Sequence, residues 1–252
     1  MLHWKIVRAA DDPALDESRA PEGLLSPEEE VLLRRMRFEA RRRKWLLGRR
    51  AAKLALTELY RAWKGKVIAP SAFTIRNEDS GAPFAELSGE RLPVCLSISH
   101  RASHGVAAVD SDPSHVIGID LELIEDRSPA LARTFFTTAE QAALEDLDEA
   151  QRRLAVARLW SGKEAVLKAL GLGLRRDTRA IEIGESPPTP AAALAPGFEP
   201  LGVRLAGELE QEVEGKLALG WCEGTGYLLT LAVLERDPAS GHTTGSRRPD
   251  PR

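Results

Sequence analysis

The chain has 252 residues, 43% of them hydrophobic and 29% charged, with a formal net charge of -3. That is enough apolar material for one large domain or two lobes, and the slight acidity excludes a surface built wholesale for nucleic acid, so any basic site must be local. Cys95 and Cys222, the two cysteines, sit in apolar strand-like sequence and read as core residues of a reduced, cytoplasmic protein, not as a disulfide framework or metal knuckle. The opening MLHWKIVRAADDP has no signal-peptide core, and no run approaches the ~18 apolar residues of a membrane span, so a soluble chain without a membrane partner is expected.

In chain order, residues 2–9 predict a strand. SPEEE then opens a long helical region to about Trp63, with Ser26 as cap, Pro27 in the first turn and acids after it. FTIRN and PVCLSIS read as strands around a turn-rich NEDSGAP, and HGVAAVD as another strand before VIGIDLEL. TTAEQ caps a short helix, and Asp148 starts a longer one that glycine at 171 should end. RAIEI, PLGVRLAG, KLALGWC and YLLTLAVL predict further strands, interrupted by the proline-rich surface loop GESPPTPAAALAPGFEP. The Gly-, Ser-, Thr-, Pro- and Arg-rich tail from Asp237 should be disordered. Each half thus reads as strand, helix, then several strands, the pattern of two α+β lobes.

Four stretches carry chemistry. Within VIGIDLELIEDRSP, side-chain alternation turns Asp120 and Glu122 to one face of the strand and Ile119 and Leu121 to the other. Two like charges that close need a cation, a base or solvent; an oxygen-only pair suits magnesium or manganese, and a wetted edge strand explains the same spacing. In RLWSGKEAVLKALG, Trp160, Glu164, Leu167 and Lys168 share one helix face, with Lys163 about 100° from Glu164. That is either an ordinary exposed Glu-Lys pair or, because Leu159, Val166 and Leu170 form a second apolar stripe, a charged group carried into a packed helix. LSISHRASHG ends a strand on Ser99 and His100, which serve equally as backbone partners or as donors to an anion. From Arg34 to Lys53 ten Lys or Arg stand against one acid, Glu39, either a solvated face or a surface that attracts phosphate.

In order and separation, SISH, IGIDLE and LWSGKEAVLKALG, preceded by the basic RRRKWLLGRRAA, closely resemble the Sfp-type 4'-phosphopantetheinyl transferases over roughly residues 26–174. The resemblance implies an α+β fold of two pseudo-symmetric lobes, each a helix-packed, antiparallel-rich sheet, with coenzyme A in the cleft between them. It implies a coenzyme-binding lobe over 1–115, a metal-binding and catalytic lobe over 116–236, and a tail over 237–252. Asp120, Glu122 and Glu164 fall on the family's acidic metal positions, for Mg2+ or Mn2+. His100 and Lys168 match its phosphate contacts and, with Glu164, its catalytic set. Arg41, Arg42, Lys44, Arg49, Ser99 and Lys163 join His100, Asp120 and Lys168 on the coenzyme side. The partner implied is an apo acyl or peptidyl carrier protein, served by a monomer with no nucleic acid bound. Two departures stand out: DSGAPFAEL puts Ser80 and Ala82 where the family often has a lysine-bearing turn, and Glu29 and Leu32 stand where some members have lysines. Other readings of the same residues are a magnesium-dependent phosphatase or nuclease, and a non-enzymatic module holding an anion or nucleic acid on the basic helix.

Overall fold

The computed structural model describes residues 1–173, 176–184 and 194–236. Its strands are β1 (Leu2–Arg8), β2 (Phe73–Asn77), β3 (Pro83–Leu87), β4 (Glu90–Arg91), β5 (Cys95–Arg101), β6 (His104–Asp110), β7 (His115–Leu123), β8 (Ile181–Gly184), β9 (Glu199–Leu205), β10 (Lys216–Gly224) and β11 (Tyr227–Glu235). Its helices are α1 (Pro13–Asp16), α2 (Pro27–Arg35), α3 (Glu39–Lys64), α4 (Pro129–Phe135), α5 (Thr138–Ala142), α6 (Glu149–Ala169) and α7 (Glu208–Glu212). One antiparallel sheet has the order β1-β6-β5, a second β7-β11-β10-β9-β8, and β2-β3-β4 form a small third sheet.

Each main sheet is backed by one long helix, and in both cases a glycine lets backbone meet backbone. A Cβ on Gly105 of β6 would lie 2.7 Å from the Leu47 carbonyl oxygen of α3. On Gly118 of β7 it would lie 1.9 Å from the Ala165 carbonyl oxygen of α6. Only glycine permits these approaches. They bring α6 down onto the face of β7 that carries Asp120 and Glu122.

The lobes repeat a second device. Glu29 forms a capping box with Ser26, accepts the Ile75 amide at 3.2 Å and pairs with Lys53, whose ammonium donates to the carbonyls of Leu24 and Phe73 at 2.9 and 2.7 Å. Glu140 forms a capping box with Thr137, accepts the Ile183 amide at 2.8 Å and pairs at 2.9 Å with Lys163, which donates to the carbonyls of Thr178 and Ile181. In each half, one buried Glu-Lys pair thus ties a short helix, a long helix and a strand together. A buried charge is tolerated only when paired and hydrogen-bonded in this way.

The two main sheets meet along β5 and β7, which belong to different sheets and are linked through side chains. The Ile117 amide donates to Cys95 Sγ at 3.4 Å, the Ile119 amide to Ser97 Oγ at 3.0 Å, and Ser99 Oγ to Asp120 Oδ1 at 2.8 Å. Behind this seam Val106, Ala108, Ile117, Ile119, Leu121, Leu229, Leu231 and Val233 form a shared apolar core.

Several expectations need amending. The helical region from Ser26 to Trp63 is broken at Met36 and Phe38, which are extended, because α2 turns aside to deliver Glu29 to Lys53 and Ile75. The turn-rich stretch after FTIRN continues into β3, whose partner is β2 itself. Helices α1, α4 and α7 are short and lack the long periodicity that marks a helix in sequence. The described end of the proline-rich segment is a loop with Pro196 and Gly197 exposed, but it is anchored by buried Ala195 and Phe198, and Phe198 meets Trp4 edge-on at 5.4 Å. Residues 185–193 of that segment and the tail at 237–252 lie outside the described residues.

Candidate active site

Register on β7 fixes the site. Asp120 lies opposite Thr230 and Glu122 opposite Leu228 of β11. The shared face of Asp120 and Glu122 is covered by α6, and both acids are buried, at 1% and 7% exposure. The Thr230 hydroxyl is also engaged from α6, by Ser161 at 2.8 Å. Because α6 rides on Gly118, Glu164 and Lys168 come down beside Asp120.

Lys168 Nζ donates to Asp120 Oδ1 at 2.6 Å and to the Ile119 carbonyl at 3.1 Å, while Ser99 Oγ donates to the same Oδ1. The other oxygen, Oδ2, is buried without a donor. The Glu164 carboxyl stands within hydrogen-bonding reach of Asp120. Two carboxylates this close, Asp120 buried and Glu164 half-buried, favour a proton or a cation between them. Accordingly, burial first and then the Asp120 charge push the Glu164 carboxyl up to about 7. Glu122 is also raised, by burial and then by Asp120, against the pull of Arg127 and Arg101. Burial, and after it the ammonium groups of Lys44 and Lys168, hold the His100 imidazole below its ordinary value.

Asp120, Glu122, Glu164, Ser99, His100 and Lys44 all line one cavity of about 510 Å³. Lys168, which bonds Asp120 of this cavity, lines a larger one of about 700 Å³ between the β2–β3 turn, β5 and the end of α6, with Arg91, His115 and Arg236 on its walls. Ser80 and Ala82, the positions without a lysine, line that larger cavity beside Arg91.

Not every expected residue joins this group. Lys163 is wholly buried in the Glu140 network, so the adjacency to Glu164 in sequence points it into the core, away from any ligand. Arg49 is 7% exposed, donates to the Ile75 carbonyl and stands 3.2 Å from Glu29, in charge contact without hydrogen-bond alignment. Both corrections have one cause: a basic residue in a packed helix serves the nearest buried acid before it serves solvent. Arg41 is exposed near the start of α3, and Arg42 is half-buried, donating to the Met36 carbonyl at 3.5 Å; neither lines the two cavities. Glu122 shares the cavity, yet its carboxylate is engaged by Arg127 and Arg101. Among the described residues no three His, Cys, Asp or Glu side chains are grouped as placed to hold a metal ion. Sequence reasoning missed Arg101, Glu125 and Arg127, although Arg101 directly follows SISH and the other two follow the acid pair within IEDRSP.

Fold and site together define an enzyme-like arrangement: two helix-backed antiparallel sheets with a basic-rimmed carboxylate cavity at their junction. The sequence profile of the 4'-phosphopantetheinyl transferase superfamily matches residues 116–215, which contain Asp120, Glu122, Glu164 and Lys168. Over 193 residues the chain is 29% identical to the 4'-phosphopantetheinyl transferase HetI of a Nostoc species, covering 75% of each protein. It is 32% identical over 106 residues to a 4'-phosphopantetheinyl transferase of Bacillus subtilis, covering 42% of this chain and 44% of that one. Among solved structures it is similar to a holo-(acyl-carrier-protein) synthase of Bacillus anthracis in complex with CoA (3',5'-ADP), with 27% identity and a TM-score of 0.35, covering 43% of this chain and 91% of that one. The chain is thus similar to the 4'-phosphopantetheinyl transferases, and the matched segment is the one that carries the carboxylates of this cavity.

Proposed function

We propose that the protein moves the 4'-phosphopantetheine arm of coenzyme A onto a serine of an apo acyl or peptidyl carrier protein, releasing adenosine 3',5'-bisphosphate. The observation that supports this most is the Asp120–Glu164 carboxyl pair, the first buried and the second half-buried, lining one cavity beside Lys168, which lines the other. The larger cavity falls within the ~300–1,000 Å³ range of small-ligand sites and takes the coenzyme, with Arg91 and Lys168 offered to its phosphates. The smaller one takes the scissile pyrophosphate, facing Lys44 and His100. On this reading residues 1–115 form the coenzyme-binding lobe and 116–236 the catalytic lobe.

The donor set fits a hard divalent cation: it is all carboxylate, and Asp120 Oδ2 is buried without a partner. Asp120, Glu164 and Glu122 would hold Mg2+ or Mn2+, which neutralises charge on the pyrophosphate oxygens. Glu164, with its carboxyl near neutrality, takes the proton of the carrier serine as the hydroxyl attacks the β-phosphorus of the coenzyme pyrophosphate, the phosphorus nearest the pantetheine. Lys168 offers a positive charge to the departing 3',5'-bisphosphate, and the seryl oxygen–phosphorus bond replaces the bridging oxygen–phosphorus bond.

Intact mass of an apo carrier after incubation with coenzyme A and Mg2+ is the test. The expected result is a gain of one phosphopantetheine arm, absent with Glu164→Gln at wild-type stability or better. Normal turnover by that variant refutes the base assignment. Release of inorganic phosphate without carrier modification refutes the transfer itself.

A further inference from the structure

Arg127 has no part in the scheme above, yet it holds one of its three acids. Its side chain is 19% exposed and donates to Glu122 Oε2, standing 3.3 Å from Glu125 Oε1. Arg101 makes a second, longer contact of 3.4 Å to the same Glu122 oxygen and binds Glu125 at 2.9 Å. The treatment of the three carboxylates is therefore uneven. Asp120 is met by a lysine and a serine on one oxygen and keeps the other bare, and Glu164 leans on Asp120, whereas Glu122 is occupied by guanidinium groups. Arg127 also has somewhere else to go. It lines a neighbouring cavity of about 320 Å³ with Glu125, Asp126, Glu149 and Arg153; Asp126 and Glu149 are largely exposed and meet Arg153 through one oxygen each, at 3.4 and 4.0 Å, which leaves each a second oxygen to offer Arg127.

We propose that Arg127 is a latch on Glu122: it withholds this carboxylate from a divalent cation at the Asp120–Glu164 pair, and the cation gains its third acid only when Arg127 turns toward Asp126 and Glu149. The idea rests on the metal reading above and adds a competition to it. Arg127 draws on the Glu122 charge through Oε2 and so competes with a divalent cation for that carboxylate, more strongly than Arg101 at its longer 3.4 Å contact, and it lowers cation affinity by a share of its own ion pair's stability. For a pair this sheltered, about tenfold in affinity is at stake, which corresponds to about 1.4 kcal/mol.

The test is direct binding of Mn2+ to the full chain without coenzyme, read from the electron paramagnetic resonance signal of the free ion. Arg127→Ala should bind Mn2+ about tenfold more tightly than wild type, a direction that damage to the fold does not produce. Arg127→Lys should fall between the two. In a Glu122→Gln background the same Arg127→Ala change should have no effect. Equal or weaker binding by Arg127→Ala overturns the latch, as does equal tightening in the Glu122→Gln background. The metal reading is judged separately: Asp120→Asn/Glu164→Gln should abolish binding. If that double variant binds like wild type, or if neither wild type nor Arg127→Ala binds Mn2+, the reading fails and the latch with it.

Discussion

Lys163 separates a structural from a catalytic account of the KEA stretch. Lys163→Ala removes an ammonium with three partners, leaving Glu140 at 2% exposure facing only the amides of Thr137 and Ile183, and two buried carbonyls unpaired. Breaking a buried ion pair from one side costs roughly 3–5 kcal/mol, and the lost four-carbon stem adds a cavity, so about 4–5 kcal/mol is expected. That is a large share of the roughly 5–15 kcal/mol that holds a typical domain together. Lys163→Met keeps most of the stem and should lose about 3–4 kcal/mol. Adding Glu140→Gln should return about 1–2 kcal/mol by removing the stranded charge. Urea unfolding followed by tryptophan fluorescence measures these losses, with Trp160 one turn away on the same helix. Coenzyme binding at low temperature, where the variant is folded, should be close to that of wild type. A Lys163→Met protein with wild-type stability but no coenzyme affinity would show that the side chain serves the ligand after all.

Lys53→Met should destabilise by an amount within about 1 kcal/mol of Lys163→Met, since its pair with Glu29 copies the other, and a much smaller loss would sink the equivalence of the two halves. Gly118→Ala forces a Cβ onto the Ala165 carbonyl; it should cost about 2–3 kcal/mol or more and lower transfer at least tenfold by shifting Glu164 and Lys168. Gly184→Ala, where nothing lies within 4 Å, should leave both readouts unchanged in parallel assays. Glu164 is raised from 4.5 to about 7, so its protonated form stabilises the fold fully below 4.5 and that contribution is lost as pH rises through about 7. In chelator, Glu164→Gln should therefore exceed wild type in stability by about 1–2 kcal/mol above pH 7.5, allowing for partial exposure, and match it near pH 4.5. A difference independent of pH would contradict the burial of this carboxyl.

Much of this was legible from local chemistry. The Ser26 and Asp148 caps, the alternation of Asp120 and Glu122, and the i,i+4 placement of Glu164 and Lys168 depend on neighbours a few residues away, and period alone fixes them. What stayed hidden depends on distance along the chain. Arg49 and Lys53 look like members of one basic run, and only the arrival of Glu29 from α2 takes them out of it. Lys163 is hidden in the same way, since nothing in KEA says that Glu140 waits beneath it. The repeat of the two halves was readable as an order of elements but not as residues, because Ser26 and Thr137, or Ile75 and Ile183, share a role without sharing a surrounding sequence. Arg127 lay in plain view next to the acids, where a charge in a turn reads as solvated.

The seam between β5 and β7 has a mechanical consequence. The seam is a row of separate thiol and hydroxyl bonds and no backbone ladder, so losing one of them leaves both sheets paired within themselves. The last hook, Ser99, grips Asp120 itself, so the fit of one sheet against the other also sets the position of the carboxylate proposed to hold the cation.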